Sequence, residues 1–141
     1  MPENNQILSV EGQLVGIPLQ EYTAGPGIVV DNVNKTISVG ITWEDVTSQV
    51  TVNTSLVTAG SMSFYYCKAL KLISIIGEVL IVGGGTLYTL PEKYRPVKGF
   101  TFPNPNGQHF IDYIATSGQF NARANYYSYN SMYLTLPCQG E

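Results

Sequence analysis

The chain has little charge, one histidine and two cysteines. Charged residues make up 12% of its 141 residues, and the formal net charge is −3. A weakly acidic chain does not attract polyanions through a general electrostatic field, so nucleic acid is not expected as a partner. His109 is the only imidazole, and no G-x-S-x-G motif accompanies it. No carboxylate pair or metal-ligand spacing is recognisable, so we expect no enzyme, no metal and no cofactor.

The two cysteines and the apolar segments set further limits. Cys67 and Cys138 are far apart and form no metal-binding motif, so we expect two separate thiols, with a disulfide as the alternative. The start, "MPENNQILSV", lacks the basic and apolar regions of a signal peptide. Residues 70–82 are the most apolar, but they include Lys71 and Glu78 and are too short to cross a bilayer. We therefore expect folding in a reducing cytoplasm and no membrane insertion.

The residues that are abundant indicate an all-β fold. The chain has 14 glycines, 8 prolines and 10 tyrosines, which favour short strands joined by tight turns. Strand patterns recur at short intervals from about residue 50, which is typical of a β-sandwich. We predict a jelly-roll-like antiparallel β-sandwich head over residues 50–141, preceded by a linker over residues 43–49.

Residues 1–42 differ in character from the rest of the chain. They contain short strand-like pieces separated by turn signals, and "GIVV" and "KTISV" are predicted to form a hairpin around "DNVN". A segment of about 40 residues rarely builds its own core without a disulfide, a metal or a partner. No cysteine or histidine precedes Trp43. The pattern therefore predicts an N-terminal β segment that intertwines with other copies of the chain.

A candidate binding surface lies near the C-terminus. Polar and apolar residues alternate in "QFNARANY" and again in "SMYLTL", and the short "YYSYN" between them predicts that the two strands form a hairpin. Amides, a guanidinium and phenol rings on one face are groups that hydrogen-bond to sugars and pack on them. An ordinary solvated strand face is the alternative. The candidate saccharide-binding residues are Gln119, Asn121, Arg123, Asn125, Tyr127, Tyr129, Tyr133, Tyr113 and His109.

The loop "TLPEKYRPVKG" (residues 89–99) concentrates three of the seven basic residues, Lys93, Arg95 and Lys98. Three cations in a net-acidic protein are too few to bind a polyanion. Two prolines fix the backbone and remove strand hydrogen-bond donors, which favours a rigid connector over a central strand. We expect Tyr94 to anchor this connector in the core.

Two stretches resemble proteins of tailed-phage tail fibres and receptor-binding tips. "EYTAGPGIVVDNVNKTISVG" (residues 21–40) is similar to the segment that precedes the tip domain of such fibres, and "GGTLYTLPEKYRPVKG" (residues 84–99) is similar to a stretch of their C-terminal heads. The resemblance implies a homotrimer whose β-rich head binds saccharides on bacterial surfaces. Heads of this family differ in their ligand contacts, so no site residue is carried over. A collagen-like repeat and a coiled-coil heptad are both lacking here.

Together these observations predict a non-catalytic phage receptor-binding protein of the tail-fibre or baseplate tip. Its expected partners are two further copies of itself, a saccharide of the bacterial surface and other phage tail or baseplate proteins. It is made in the host cytoplasm and resides in the virion. Two alternatives remain open: a structural trimeric module without a receptor site, and a polysaccharide depolymerase.

Overall fold

The computed structural model describes residues 8–10, 13–15, 22–104 and 106–141. These residues form an all-β structure in which the paired strands run antiparallel, which confirms the predicted fold class. The only helical turns in the described parts are two short 3-10 turns, Thr47–Gln49 and Glu92–Tyr94. The chain divides into two compact units, Met1–Gly40 and Ile41–Glu141.

The described part of the first unit consists of two hairpins. Their strands are β1 (Leu8–Val10), β2 (Gln13–Val15), β3 (Ile28–Asp31) and β4 (Thr36–Val39). The pairing of β3 with β4 confirms the hairpin predicted from "GIVV" and "KTISV". The Asp31 carboxylate shapes its turn by accepting hydrogen bonds from the N–H groups of Val33 and Asn34, each at 2.9 Å.

The second unit contains the remaining strands, arranged in two sheets. They are β5 (Glu44–Asp45), β6 (Thr51–Val52), β7 (Val57–Cys67), β8 (Leu72–Val82), β9 (Gly85–Thr89), β10 (Phe100–Pro103), β11 (Phe110–Ile114), β12 (Gln119–Ala122) and β13 (Tyr127–Pro137). One sheet has the order β10-β11-β12-β9-β6, and the other has the order β13-β8-β7-β5. We call them the five-stranded and the four-stranded sheet. The architecture is that of a β-sandwich.

Large side chains from both sheets fill the space between them. Phe64 of the four-stranded sheet packs against Tyr88 of the five-stranded sheet, with ring centroids 5.5 Å apart. Tyr113 and Phe120 add a second aromatic contact at 4.8 Å. Full burial of such a side chain contributes about 1.5–3 kcal/mol to stability. Alternate residues of the long strands therefore point inward, and their neighbours are left on the outer faces.

β7 and β8 form a long hairpin, and their backbones approach each other closely at two glycines. Gly60 has a φ of 82°, and a Cβ built there would come within 2.1 Å of the Glu78 carbonyl oxygen. A Cβ at Gly77 would come within 2.2 Å of the Ser61 carbonyl oxygen. Only glycine fits at these positions, which hold Ser61 and Glu78 opposite each other in register.

The predicted linker over residues 43–49 is wrong, because most of it belongs to the sandwich. Glu44–Asp45 pairs with β7 as an edge strand, and Val46 is fully buried in the core. The Val46 N–H donates to the Phe64 carbonyl at 2.9 Å. The sequence signal for this packing is an apolar residue, Val46, between the polar residues Asp45 and Thr47.

The loop over residues 89–99 packs as a connector. Tyr94 is fully buried, and its hydroxyl donates to Oε1 of Gln49 at 2.8 Å, which confirms the predicted anchor. Arg95 donates to two backbone carbonyls, those of Leu90 and Thr116, each at 3.1 Å. The loop therefore holds neighbouring segments of the sandwich in place.

The two cysteines are buried and carry free thiols, as predicted over the disulfide alternative. Burial raises the pKa of the Cys138 thiol. The backbone of Cys138 forms an isolated antiparallel β-bridge with the backbone of Pro96. This pairing holds the segment around Cys138 against the connector loop.

Candidate functional site

The structure divides the predicted site residues between two surfaces, so the predicted hairpin of the C-terminal strands is wrong. β12 pairs with β11 and β9, whereas β13 pairs with β8 in the other sheet. Gln119, Asn121 and Arg123 therefore lie on the outer face of the five-stranded sheet. The tyrosines of β13 lie on the outer face of the four-stranded sheet, on the opposite side of the sandwich.

The outer face of the five-stranded sheet is named the polar face here. Its residues are Thr86, Thr89, Thr101, Phe110, Asp112, Ile114, Gln119, Asn121 and Arg123. Thr101, Asp112, Asn121 and Thr86 stand opposite one another on four adjacent strands. Within this row the Thr101 hydroxyl donates to Asp112, whereas Oδ1 of Asn121 is buried without a hydrogen-bond partner among the described residues.

Arg123 is already engaged within the polar face. Its Nε and NH2 donate to the two carboxylate oxygens of Asp112 at 2.9 and 3.0 Å, and its guanidinium lies 4.9 Å from the Phe110 ring centre. Thr101 donates a further hydrogen bond to Asp112. The hydrogen bonds from Arg123 and then Thr101 lower the pKa of Asp112 to about 2. Two of the five N–H donors of the Arg123 guanidinium are therefore directed at Asp112.

Tyr113 does not belong to a surface. It is 3% exposed, and its hydroxyl donates to the Pro96 carbonyl at 3.2 Å. Burial raises its pKa to about 12. The prediction that Tyr113 supplies a stacking ring is wrong, because its position on β11 faces the core.

Asn125 and His109 lie in a turn and beside a buried ring, respectively. Asn125 lies in the turn after β12 with a φ of 64°, a left-handed conformation that asparagine tolerates better than most residues. Tyr126, which follows it, is buried, and its ring lies 4.9 Å from the His109 ring. The hydroxyl of Tyr126 accepts a hydrogen bond from Nδ2 of Asn130 at 2.7 Å. The chain passes from the five-stranded sheet to the four-stranded sheet through the turn at Asn125 and the buried Tyr126.

The outer face of the four-stranded sheet is named the tyrosine face here. Its fourteen positions are Ala59, Ser61, Ser63 and Tyr65 on β7, Ser74, Ile76, Glu78, Leu80 and Val82 on β8, and Tyr127, Tyr129, Ser131, Tyr133 and Thr135 on β13. The three β13 tyrosines are 70%, 51% and 73% exposed in chain order. Aromatic side chains with a polar tip are enriched at binding surfaces because one end is apolar and the other hydrogen-bonds.

The apolar side chains beside the tyrosines make the surface continuous. Tyr133 stands opposite Ile76, which is 40% exposed, and Tyr129 stands opposite Leu80. Between these two pairs Ser131 donates to a carboxylate oxygen of Glu78 at 2.6 Å. The face thus combines exposed phenol rings, aliphatic side chains, several hydroxyl groups and one carboxylate.

The β7 and β8 residues of the tyrosine face were missed in the sequence. Residues 70–82 were recognised as the most apolar stretch, and they contain β8 (Leu72–Val82). The outer side of β8 combines Ser74 and Glu78 with Ile76 and Leu80. Apolar residues at these alternate positions were the available signal that the outer side of β8 presents apolar surface.

Two apolar grooves lie at the edges of the sandwich. One, of about 440 Å³, is lined by Pro96, Val97, Lys98, Gly99, Phe100, Leu136 and Pro137. The other, of about 320 Å³, lies between β6 and β7, beside Val52, Val57 and Tyr88. Neither groove brings together acidic and basic side chains in the way that acid–base catalysis requires.

Two further observations concern only the part of the chain that the structure describes. Within residues 8–10, 13–15, 22–104 and 106–141, no three or more His, Cys, Asp or Glu side chains are grouped so as to hold a metal ion. No helix in these residues is long and apolar enough to cross a membrane.

Comparisons with known proteins give no match: no protein-family model, no curated protein and no solved structure matches the chain. The two outer faces and the residues that form them therefore supply the evidence for a function.

Proposed function

We propose that the chain is a bacteriophage receptor-binding protein of a tail-fibre or baseplate tip, which attaches the virion to a host saccharide without catalysis. The tyrosine face is the observation that carries this proposal. Tyr127, Tyr129 and Tyr133 are exposed on one strand of a sheet whose backbone holds them in place. The resemblance of residues 21–40 and 84–99 to phage fibre proteins supplies the biological setting.

The tyrosine face suits a saccharide because pyranose rings have an apolar side and a rim of hydroxyl groups. The apolar side packs on a phenol ring, and hydroxyl groups bond to the tyrosine, serine and carboxylate oxygens nearby. The rings at residues 127, 129 and 133 stand on the same side of β13, since strand residues alternate. Several sugar units of one chain are therefore able to contact successive rings.

We also propose a homotrimer that is held together by the intertwined first unit. In the β3–β4 hairpin, Ile37 and Val39 are 66% and 71% exposed, and Val29 is 50% exposed. So much exposed apolar surface on so small a segment favours association with copies of the chain. A trimer presents three tyrosine faces, which strengthens weak single-site binding through effective concentration. We propose further that the head is jelly-roll-like and that the protein contacts other phage tail or baseplate proteins.

The test uses the full chain. Light scattering at micromolar concentration measures its mass, and a glycan array then measures binding of the assembled protein to bacterial surface saccharides. We expect a trimer that binds a restricted set of glycans and leaves their length unchanged. A monomer overturns the assembly. Shortened saccharide products favour the depolymerase, and a stable trimer that binds no glycan and no cell favours a structural module.

A further inference from the structure

We infer that the receptor recognised by the tyrosine face is an uncharged saccharide, one without carboxylate, phosphate or ammonium groups. This inference rests on the proposed function, since it specifies the ligand of that same face. It follows from the charges that the face contains and from the places where the cations of the sandwich are held.

The tyrosine face contains no cation among its fourteen described positions. Its one ionisable carboxylate is Glu78, which accepts the hydrogen bond from Ser131. Asp45 stands opposite Tyr65 and adds a second carboxylate at the sheet edge, where it accepts the Thr47 N–H at 2.9 Å. Both fixed charges at this surface are therefore negative.

Four of the six cations of the second unit have partners away from the tyrosine face. Nζ of Lys68 lies 2.8 Å from a Glu141 oxygen, and Nζ of Lys93 lies 3.7 Å from the other. Arg95 donates to backbone carbonyls, and Arg123 is paired with Asp112 on the polar face. The two remaining cations are Lys71, in the turn before β8, and Lys98, in the loop before β10.

An anionic saccharide therefore meets repulsion and no counter-charge on this face. Recognition of phosphate and carboxylate groups normally uses arginine or lysine, because charge-assisted hydrogen bonds recover the desolvation cost of the anion. Like charges brought together at an interface weaken binding, and water and salt screen this repulsion in part at an exposed surface. Uncharged hydroxyl and acetamido groups have no such cost, and the phenol and serine hydroxyls offer them both donors and acceptors.

A cationic saccharide is a poor match for a different reason. The Glu78 carboxylate already accepts a hydrogen bond from Ser131 and is exposed to water. Water screens an ion pair at such a surface, so the pair contributes little to affinity. The larger part of the surface consists of rings and aliphatic side chains, which contribute through burial of apolar area. Ring contact with a neutral sugar uses this area without removing a charge from water.

The experiment compares matched glycans on the full-length protein. Each neutral oligosaccharide is paired with an analogue in which one sugar carries a carboxylate, a phosphate or a free amine. We expect the neutral form to bind at least about tenfold more tightly than the anionic form, as like-charge repulsion implies. Raising the salt from about 0.05 to 0.5 M should change its Kd less than about twofold, because the contact is not ionic.

Glu78→Gln sharpens the test because it removes the central negative charge. We expect the ratio of neutral to anionic affinity to fall severalfold, since the anionic analogue gains most. Glu92→Gln makes the same chemical change in the 3-10 turn Glu92–Tyr94, outside the tyrosine face, and the ratio should stay as it is. Circular dichroism confirms that both variants are folded.

Three results overturn the inference. Tighter binding of the anionic analogue contradicts the charge argument but leaves the receptor function intact. Tighter binding of the amine analogue, weakened by salt and lost in Glu78→Gln, assigns a cationic receptor instead. Absence of binding to every glycan, charged or neutral, overturns both this inference and the proposed function.

Discussion

The two outer faces of the sandwich have the same backbone geometry but use their side chains in opposite ways. On the polar face, Arg123, Asp112 and Thr101 bond to one another. On the tyrosine face, Tyr127 and Tyr133 are more than two-thirds exposed. Where polar side chains are already paired, a ligand has to replace those hydrogen bonds and gains less from making new ones. A surface of exposed rings gains contact area, so the difference indicates where binding capacity lies.

The largest expected effect is on the free energy of unfolding, and it distinguishes a core residue from a tyrosine-face residue on the same strand, β8. Ile75 is fully buried, whereas the adjacent Ile76 is 40% exposed on the outer face. Ile75→Ala should lower the free energy of unfolding by about 2–5 kcal/mol, because it leaves a cavity in the core. Ile76→Ala should lower it by about 1 kcal/mol or less, because little buried surface is lost. Urea unfolding of both variants measures the two values.

The comparison fails if the two alanine variants cost the same. Equal losses would mean that Ile76 is buried by another part of the assembled protein, and the outer side of β8 would then be an interface between chains. Repeating the unfolding at several protein concentrations distinguishes this case, because the stability of an associated species depends on concentration.

The second effect concerns binding. Replacing Tyr129 and Tyr133 together by alanine should weaken glycan binding at least about tenfold, which corresponds to about 1.4 kcal/mol. The reason is that the two rings supply the exposed aromatic area beside Ile76 and Leu80. Binding of the assembled protein to immobilised glycan measures the change, and light scattering shows whether the mass is unaltered.

The matched control lies on the polar face. Arg123→Ala removes a large, half-exposed side chain from the opposite side of the sandwich. We expect it to change glycan affinity less than about twofold. A loss of binding in Arg123→Ala with full binding by the tyrosine variant would move the site to the polar face and reverse the assignment.

Local alternation in the sequence was informative, but strand partnership was not. The period of two in "QFNARANY" correctly placed Gln119 and Asn121 on one side of β12 and Phe120 on the other. The partner of each strand depends on contacts between distant residues, which alternation does not encode. Because "SMYLTL" follows "QFNARANY" closely in the chain, the two stretches were predicted to pair. The strand that contains "SMYLTL", β13, pairs instead with β8.

The candidate site was predictable only in part for the same reason. Tyr133 was identified from the alternation in "SMYLTL". Tyr127 and Tyr129 were identified as phenol rings in the connecting stretch "YYSYN", which the structure places in β13. Ile76 and Glu78 were not identified, because they lie far from these tyrosines in the sequence and only the pairing of β8 with β13 brings them together. Tyr113 was misassigned, because its strand has few polar residues to mark an outer side.

The third effect tests the turn that separates the two faces. Asn125 has a φ of 64°, so Asn125→Ala should cost about 1–2 kcal/mol of unfolding free energy. Asn125→Gly removes the steric cost and should stay within about 0.5 kcal/mol of the parent protein. Thermal or urea unfolding measures both. Glycan binding should be unchanged in the folded variants, and weaker binding without loss of stability would place Asn125 in the site after all.

The smallest effect concerns the Asp112–Arg123 ion pair and its pH dependence. The folded pKa of Asp112 is about 2, below its ordinary value of 3.8. The pair therefore stabilises the fold above pH 3.8, and this stabilisation is lost as the pH falls from 3.8 to about 2. Since both side chains are partly exposed, water screens the pair, and its contribution should be about 1 kcal/mol or less.

A double-mutant cycle of Asp112→Asn and Arg123→Gln isolates this coupling from other effects of each change. The coupling energy should be present near pH 6, should shrink towards zero near pH 2, and should weaken in about 1 M salt. A coupling that persists at low pH would show that the contact is not ionic. Repeating the cycle with bound glycan tests the two faces directly. The coupling should not change, because the ligand sits on the opposite sheet, whereas a ligand on the polar face would compete for the Arg123 guanidinium and reduce it.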